Sequence, residues 1–454
     1  MFFSKSIFHW IHKLSPVQLI LLFYFIAVLL SSMVLALPVA HQDGVDIPLI
    51  DVLFTAVSAI SVTGLSSISI ADTFSTTGIV FLAVILQLGG VGVMAIGTSI
   101  WLLIGKKIGL RERRLIQTDQ NQTSFEGMVR LIKQILLVIL TIEFIGFLIL
   151  GTHFLQYYST AKEAYFHGFF AAISATTNGG FDITGQSLIP YKNDYFVQFI
   201  NMLLIIFGAI GYPVLLEVKH FLFAKQEERK HFRFTLFTKV TTLTFFVLIV
   251  VGTIFIMLMD FSKFFADKSW HEILFYSLFQ SVTTRSGGLA TMDVGELSVS
   301  NQFFMSLLMF IGASPSSAGG GIRTTTFALV IIFIITFARG GQSIRIFGRE
   351  VYNEDLLKAV TVAFMAGIIL ISAVLLMLVI EPISLIALLF EATSAFGTVG
   401  LSTGITGDLS SLSKIILMIL MFIGRVGIIT FLLIFNTNKK SGKYHYPKEK
   451  IIIG

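Results

Sequence analysis

Long apolar runs separated by short polar connections dominate this chain. They lie near residues 15–37, 75–104, 128–155, 193–224, 235–259, 302–338, 358–380 and 412–435. A helix needs ~20 mostly apolar residues to cross a bilayer, so the pattern predicts eight transmembrane helices and two termini on one side. The first run follows Lys5 and Lys13 and ends at Ala-Leu-Pro-Val-Ala, residues 36–40, which invites a signal-peptide reading. Its length exceeds the ~7–15 apolar residues of such a segment, and we read it as a spanning helix.

A second pattern sits in alternate connections. Four of them hold an apolar stretch too short to span, ending in glycine followed by Leu or Phe. They read FTAVSAISVTGL at 54–65, FAAISATTNGGF at 170–181, LFQSVTTRSGGL at 278–289 and FEATSAFGTVGL at 390–401. The terminal glycines, Gly64, Gly180, Gly288 and Gly400, recur about every 110 residues, which makes the chain an internal repeat. Each unit reads as long helix, short helix, glycine-bearing loop, long helix, over 1–110, 111–230, 231–350 and 351–436, with a tail at 437–454. The third copy departs most, with Val282 where the others have Ser58, Ser174 and Ser394.

Irregular backbone at membrane depth is tolerated only where it is buried in protein or lines a wet cavity. Four such loops around one axis would present rings of carbonyl oxygens, which replace the hydration shell of a cation. Glycine permits the backbone angles this requires. The short helices would aim their partially negative C-terminal ends at the same point, with Asp51, Glu272 and Glu381 near their starts. The predicted fold is therefore an all-α polytopic membrane protein: four helix–pore loop–helix repeats around a central pseudo-fourfold pore.

Composition agrees with lipid as the main solvent. Apolar types make up 55% of the chain and charged types 13%, against about a quarter charged in a soluble domain; mean hydropathy is +0.86. The absence of cysteine excludes disulfides, thiolate nucleophiles and Cys-ligated metals. The net charge of +6 raises nucleic acid as a partner, but the basic residues are sorted by connection. Lys106, Lys107, Arg111, Arg113 and Arg114 follow the second run, Lys219, Lys225, Arg229, Lys230 and Arg233 the fourth, and Arg339, Arg345, Arg349 and Lys358 the sixth. Lys439, Lys440, Lys443, Lys448 and Lys450 fill the tail, whereas the opposite connections are acidic. The positive-inside rule then places both termini in the cytoplasm and makes the charge a matter of topology.

The sixth run is interrupted by Gly312, Ala313, Ser314, Pro315, Ser316, Ser317, Ala318, Gly319, Gly320 and Gly321. Proline removes a helix hydrogen bond and glycine costs about 1 kcal/mol against alanine. We read the segment as an intramembrane loop obstructing the path below the glycine loops. A phosphate-binding GxxxxGK[ST] is not satisfied, because Ile322-Arg323 follows the glycines. Arg425 lies inside the eighth run, and arginine at that depth faces the protein interior or a wet cavity. Glu143 reads as an interhelical hydrogen-bonding group, and Arg285 as a structural support of the third loop. No HExxH or GxSxG pattern points to an enzyme.

These loops and the broken run resemble the Trk/Ktr/HKT superfamily of cation transporters, and the compact length is most similar to its bacterial KtrB-type subunits. The resemblance implies potassium uptake across the bacterial cytoplasmic membrane. It implies a selectivity filter at Val62, Thr63, Gly64, Asn178, Gly179, Gly180, Ser286, Gly287, Gly288, Thr398, Val399 and Gly400. It also implies a gate formed by 312–321 with Arg425. In plant members glycine at the first filter position accompanies potassium preference and serine sodium, so Gly64 implies potassium as the substrate ion. A homodimer on a ring of separate cytosolic nucleotide-binding subunits is expected, with no covalent cofactor and sodium as a candidate activator. A sodium/potassium-coupled transporter with alternating access is the rival reading. Such transporters break helices at corresponding points of two inverted halves, whereas here the sequence shows one clear break and one topology throughout.

Overall fold

Serine, threonine and aspartate start most of the helices. Ser15 accepts from the Gln18 amide while the Gln18 side chain accepts from the Ser15 N–H, and Pro16 fills the first helical position. The side chains of Ser75, Thr160, Asp194, Thr235, Ser298, Ser384 and Ser410 likewise accept from a first-turn amide, without the reciprocal bond, each worth about 1 kcal/mol. The computed structural model describes residues 14–92, 128–341 and 343–433, with 447 and 449. Lys5, Lys13, the C-terminal part of the 75–104 run, the cluster from Lys106 to Arg114, the boundary at 110/111 and the basic residues of the tail lie outside the described residues.

The elements follow the expected order. The first unit has α1 (Pro16–Leu35), the short α2 (Leu49–Ser61) and α3 (Thr76–Val91). The second has α4 (Met128–His153), α5 (Ala161–Thr176), α6 (Tyr195–Ala209) and α7 (Tyr212–Phe223). The third has α8 (Leu236–Met259), α9 (Trp270–Thr283), α10 (Val299–Ile311) and α11 (Thr324–Ala338). The fourth has α12 (Asn353–Ile380), α13 (Leu385–Gly397), α14 (Ser411–Val426) and α15 (Ile428–Leu433). A two-residue hairpin, β1 (Arg345–Ile346) with β2 (Arg349–Glu350), turns through Phe347 and Gly348 at φ 50° and 75° and was not expected from sequence.

Among the described residues four helices are long and apolar enough to cross a membrane alone, within Val17–Leu35, Val129–Gln156, Leu236–Met259 and Asn353–Ile380. Only 28–33% of their most apolar windows is buried inside the protein, so the remaining apolar surface is left for lipid. The other four expected crossings are not single straight helices. The run at 193–224 bends by 105° between α6 and α7. The third unit breaks between α10 and α11, the fourth breaks at Gly427, and α3 ends at Gly92. The expectation that only the third unit is interrupted is therefore corrected. A single glycine barely changes the averaged hydropathy of a long run, so the bends in the second and fourth units do not show in it.

The core is divided into four main clusters, and each joins one unit to the short helix of the next. Phe170 and Phe181 of the second unit pack with the first unit's Ala56, Ile60 and Leu86. Phe279 and Leu289 of the third pack with Met202 and Ile205 of the second, and Phe390 and Val399 of the fourth with Met305 and Met309 of the third. Phe54 and Val57 of the first pack with Leu417 and Met421 of the fourth. The series is closed. At that closure Lys414 of α14 donates to Asp51 of α2 at 2.8 Å, both side chains buried. Lys239 of α8 lies 5.8 Å from the Phe347 ring centroid, which brings the hairpin beside the start of α8.

Candidate functional site

The short helices α2, α5, α9 and α13 each run into a three-residue stretch with one backbone shape. The first residue of each, Val62, Asn178, Ser286 and Thr398, has φ of 56°, 57°, 77° and 46°. The third, Gly64, Gly180, Gly288 and Gly400, has φ of 91°, 67°, 72° and 97°. Left-handed geometry at a non-glycine residue is uncommon, above all for β-branched Val and Thr, and it survives only where the surroundings impose it.

Those surroundings are hydrogen bonds from the helix end. The middle residue's N–H returns to a helix carbonyl, Thr63 to Ser58 at 2.8 Å, Gly179 to Ser174 at 2.7 Å and Val399 to Ser394 at 2.8 Å. The Ser58 and Ser394 hydroxyls accept from the Gly64 and Gly400 amides, and Ser174 donates to the Phe181 carbonyl. In the third unit Val282 has no hydroxyl, but Thr283 supplies one: its Oγ1 donates to the Leu289 carbonyl at 2.6 Å, and its own carbonyl accepts from Gly287. The anchor has moved by one residue, which a search for serine at a fixed offset misses.

The four stretches close on one another. A Cβ placed on Gly64 would stand 2.6 Å from the Gly179 carbonyl oxygen, and one on Gly180 3.3 Å from that of Gly287. One on Gly288 would stand 2.5 Å from the Val399 oxygen, and one on Gly400 would overlap that of Thr63. Each glycine thus faces the carbonyl of the next unit, in the order first, second, third, fourth and back to first. Rings of main-chain carbonyls at helix C-terminal ends are suited to a dehydrated monovalent cation.

Directly against this ring lies the segment 312–321. A Cβ on Gly320 would stand 2.7 Å from the Thr398 hydroxyl oxygen, and one on Gly319 would stand 2.5 Å from Ser286 Cβ. The segment completes the cut ends of the second unit. The Gly208 and Ala209 carbonyls at the end of α6 accept from Ala318 and Ser314, and the Tyr212 amide at the start of α7 donates to the Ser316 carbonyl. Helix ends otherwise leave such groups unsatisfied. Arg425 reaches the Ala318 carbonyl and, through its other nitrogen, the carbonyls of Gly89 and Gly90 at the end of α3.

The family described as TrkH, cation transport protein, matches residues 20–446. The chain belongs to this cation transport family. It is 59% identical to the Ktr system potassium uptake protein D of Bacillus subtilis over 98% of each chain. It is 31% identical to the Ktr system potassium uptake protein B of that organism over 99% of each. It is also 31% identical to the potassium/sodium uptake protein NtpJ of Enterococcus hirae, over 97% of this chain and 98% of that one. The crystal structure of the potassium transporter TrkH from Vibrio parahaemolyticus superposes with a TM-score of 0.72 at 18% identity, covering 94% of this chain and 86% of the other. That likeness shows the fold. The chain is accordingly a multi-pass membrane protein of the cation transport family.

Within this family member the remaining expected residues fall into place unevenly. Glu143 on α4 accepts from Gln87 of α3 at 2.9 Å, an interhelical bond as expected. Arg285 is fully buried and donates to the Leu308 carbonyl of α10, so its contact is with the next helix and not with the third loop it precedes. Asp51 and Glu272 stand in the first turns of α2 and α9. Glu381 does not serve α13: it accepts from the amide and hydroxyl of Ser410, at 2.9 and 2.6 Å, and so braces the residue that caps α14. Sequence reading missed Glu391, a fully buried carboxylate on α13 that accepts from Ser402, Thr403 and Thr406 and ties down the segment after the fourth loop. It also missed Arg323, whose Nη1 donates to the carbonyls of Ser314 and Gly319. A non-glycine residue held at its φ of 80° costs about 1–3 kcal/mol.

Proposed function

We propose that this chain carries potassium inward across the bacterial cytoplasmic membrane, through a filter made by 62–64, 178–180, 286–288 and 398–400. The closed ring of Gly64, Gly180, Gly288 and Gly400, each against the next unit's carbonyl, carries the reading. The relatives named for potassium uptake support the choice of ion. In this account eight segments cross the membrane with both termini in the cytoplasm, and the four units are the repeats 1–110, 111–230, 231–350 and 351–436. The segment 312–321 with Arg425 acts as a gate: it lies against Ser286 and Thr398 and fills the way below the ring. The chain works as a homodimer on separate cytosolic nucleotide-binding subunits, with sodium as an activator.

An alternating-access carrier is disfavoured by the order of the units. All four run helix, short helix, loop, helix, whereas carriers of that kind pair halves of opposite topology. Uptake of rubidium-86 into proteoliposomes loaded with potassium and diluted into sodium tests the proposal. Uptake blocked by external potassium but not by lithium is the expected result. Equal suppression by sodium would overturn the potassium preference. No uptake by well-folded protein, with and without its cytosolic partner, would overturn conduction.

A further inference from the structure

The inner breaks of the four units share a short sequence pattern, glycine, any residue, an aliphatic residue and a hinge: 89–92, 208–211, 320–323 and 424–427. The hinge is Gly92 at φ 100° and ψ 130°, Gly211 at 101° and 129°, and Gly427 at 90° and 143°. In the third unit the same conformation, φ 80° and ψ 144°, is held by Arg323. Side-chain-bearing residues rarely adopt these angles, so an arginine there calls for a compensating contact.

The compensation is visible in the inserted loop. Residues 313–320 begin and end at one place, because Gly312 and Gly321 touch and Ala313 donates to the Gly320 carbonyl at 3.1 Å. Without them the chain would read Gly312-Gly321-Ile322-Arg323, the pattern of the other units. The Arg323 guanidinium crosses this closed loop, its Nη1 donating to Ser314 near one end and Gly319 near the other. Arg425 grips Ala318 from the neighbouring helix. Among the described residues neither guanidinium has a carboxylate within ion-pair distance, so both donate to main-chain carbonyls.

We propose that Arg323 is the latch of the loop: a positioning residue, kept in a glycine's conformation, whose side chain holds 313–320 folded beneath the filter. Its strained backbone and its two bonds depend on each other. While the loop is folded the guanidinium has its carbonyl partners, and when the loop moves aside those bonds are lost and the backbone is free to relax. The latch lies within the loop's own repeat, whereas Arg425 fastens the loop to another repeat. This inference rests on the reading of the loop as a gate.

The test uses the full chain in liposomes and three variants. Arg323→Gly restores the residue the other repeats carry, so it removes the latch while relieving the backbone. It is expected to raise basal rubidium flux at least fivefold with the potassium/sodium ratio unchanged, since the filter is untouched. Arg323→Lys, which keeps a charge and one donor site, is expected to fall between the two. Because the chain has no cysteine, Ser317→Cys gives a clean reporter. Its reaction with a water-soluble thiol reagent is expected to quicken in the Arg323→Gly background, which a purely structural arginine would not bring about. If Arg323→Gly fails to fold, Arg323→Gln carries the same flux and labelling test. Deletion of 313–320 separates the two levels of the account. Raised flux in the deletion with unchanged flux and labelling in the Arg323 variants would overturn the latch and leave the gate. Unchanged flux in a folded deletion would overturn both.

Discussion

The glycine loops and the inner-helix breaks are each built four times, and they keep their symmetry in opposite ways. The loops reach one backbone shape from four sequences, Val-Thr-Gly, Asn-Gly-Gly, Ser-Gly-Gly and Thr-Val-Gly. The breaks share one sequence pattern, yet the third carries eight extra residues and an arginine at its hinge. On the proposed function, a ring that strips water from an ion needs equal reach from every side, so the backbone is held alike while side chains vary. The proposed gate has no such need. One loop crossing the axis suffices, and a second copy would have no space beneath Ser286 and Thr398, where Gly319 and Gly320 already make contact.

The largest effect that would test this contrast is loss of selectivity at the ring. Gly64→Ser, Gly180→Ser, Gly288→Ser and Gly400→Ser each force a side chain against the next unit's main chain. Each is expected to lower the potassium/sodium permeability ratio by about tenfold or more, equivalent to ~1.4 kcal/mol. Bi-ionic flux measurements check this, and one fully tolerant position would break the fourfold account. Next is Arg425→Gln, which removes charge-assisted bonds to Ala318, Gly89 and Gly90, each worth roughly 1.5–3 kcal/mol. Basal rubidium flux should rise about fivefold with selectivity retained, the opposite signature to the glycine variants.

A smaller effect separates the third loop's anchor from its apparent gap. Thr283→Val removes the bond to the Leu289 carbonyl, worth about 1 kcal/mol, and should reduce the permeability ratio a few-fold. Val282→Ser, which makes the third copy look like the others, should leave the ratio unchanged. Smallest is Gly211→Ala, whose Cβ would stand 2.8 Å from the Pro315 carbonyl at a φ of 101°. A loss of about 1 kcal/mol in thermal stability and a modest rise in basal flux are expected, read by a melting curve and rubidium uptake.

The fold was legible because its signals are long. Apolar runs and a glycine recurring at one period survive variation in the residues between them, and so does the proline-and-glycine interruption at 312–321. What escaped reading depends on single residues. The left-handed Val62 and Thr398 are β-branched residues in a conformation that propensity argues against, and hydrogen bonds from the helix end impose it. The bends at Gly211 and Gly427 lie inside runs whose averaged hydropathy stays high, although Pro213 and Arg425 stand beside them. Arg323 served only to reject a phosphate loop, although its place in the Gly-x-aliphatic-hinge pattern was available from aligning the four units. Glu381 lies before the short helix in sequence and holds the cap of the long one in space, a pairing 29 residues apart that no local pattern announces.

The ring itself is tested most directly by anomalous scattering from crystals grown with rubidium or thallium. The account predicts a peak on the axis, coordinated by main-chain carbonyls from all four stretches at 62–64, 178–180, 286–288 and 398–400. A peak held by side chains elsewhere, or carbonyls from fewer than four repeats around the ion, would contradict it.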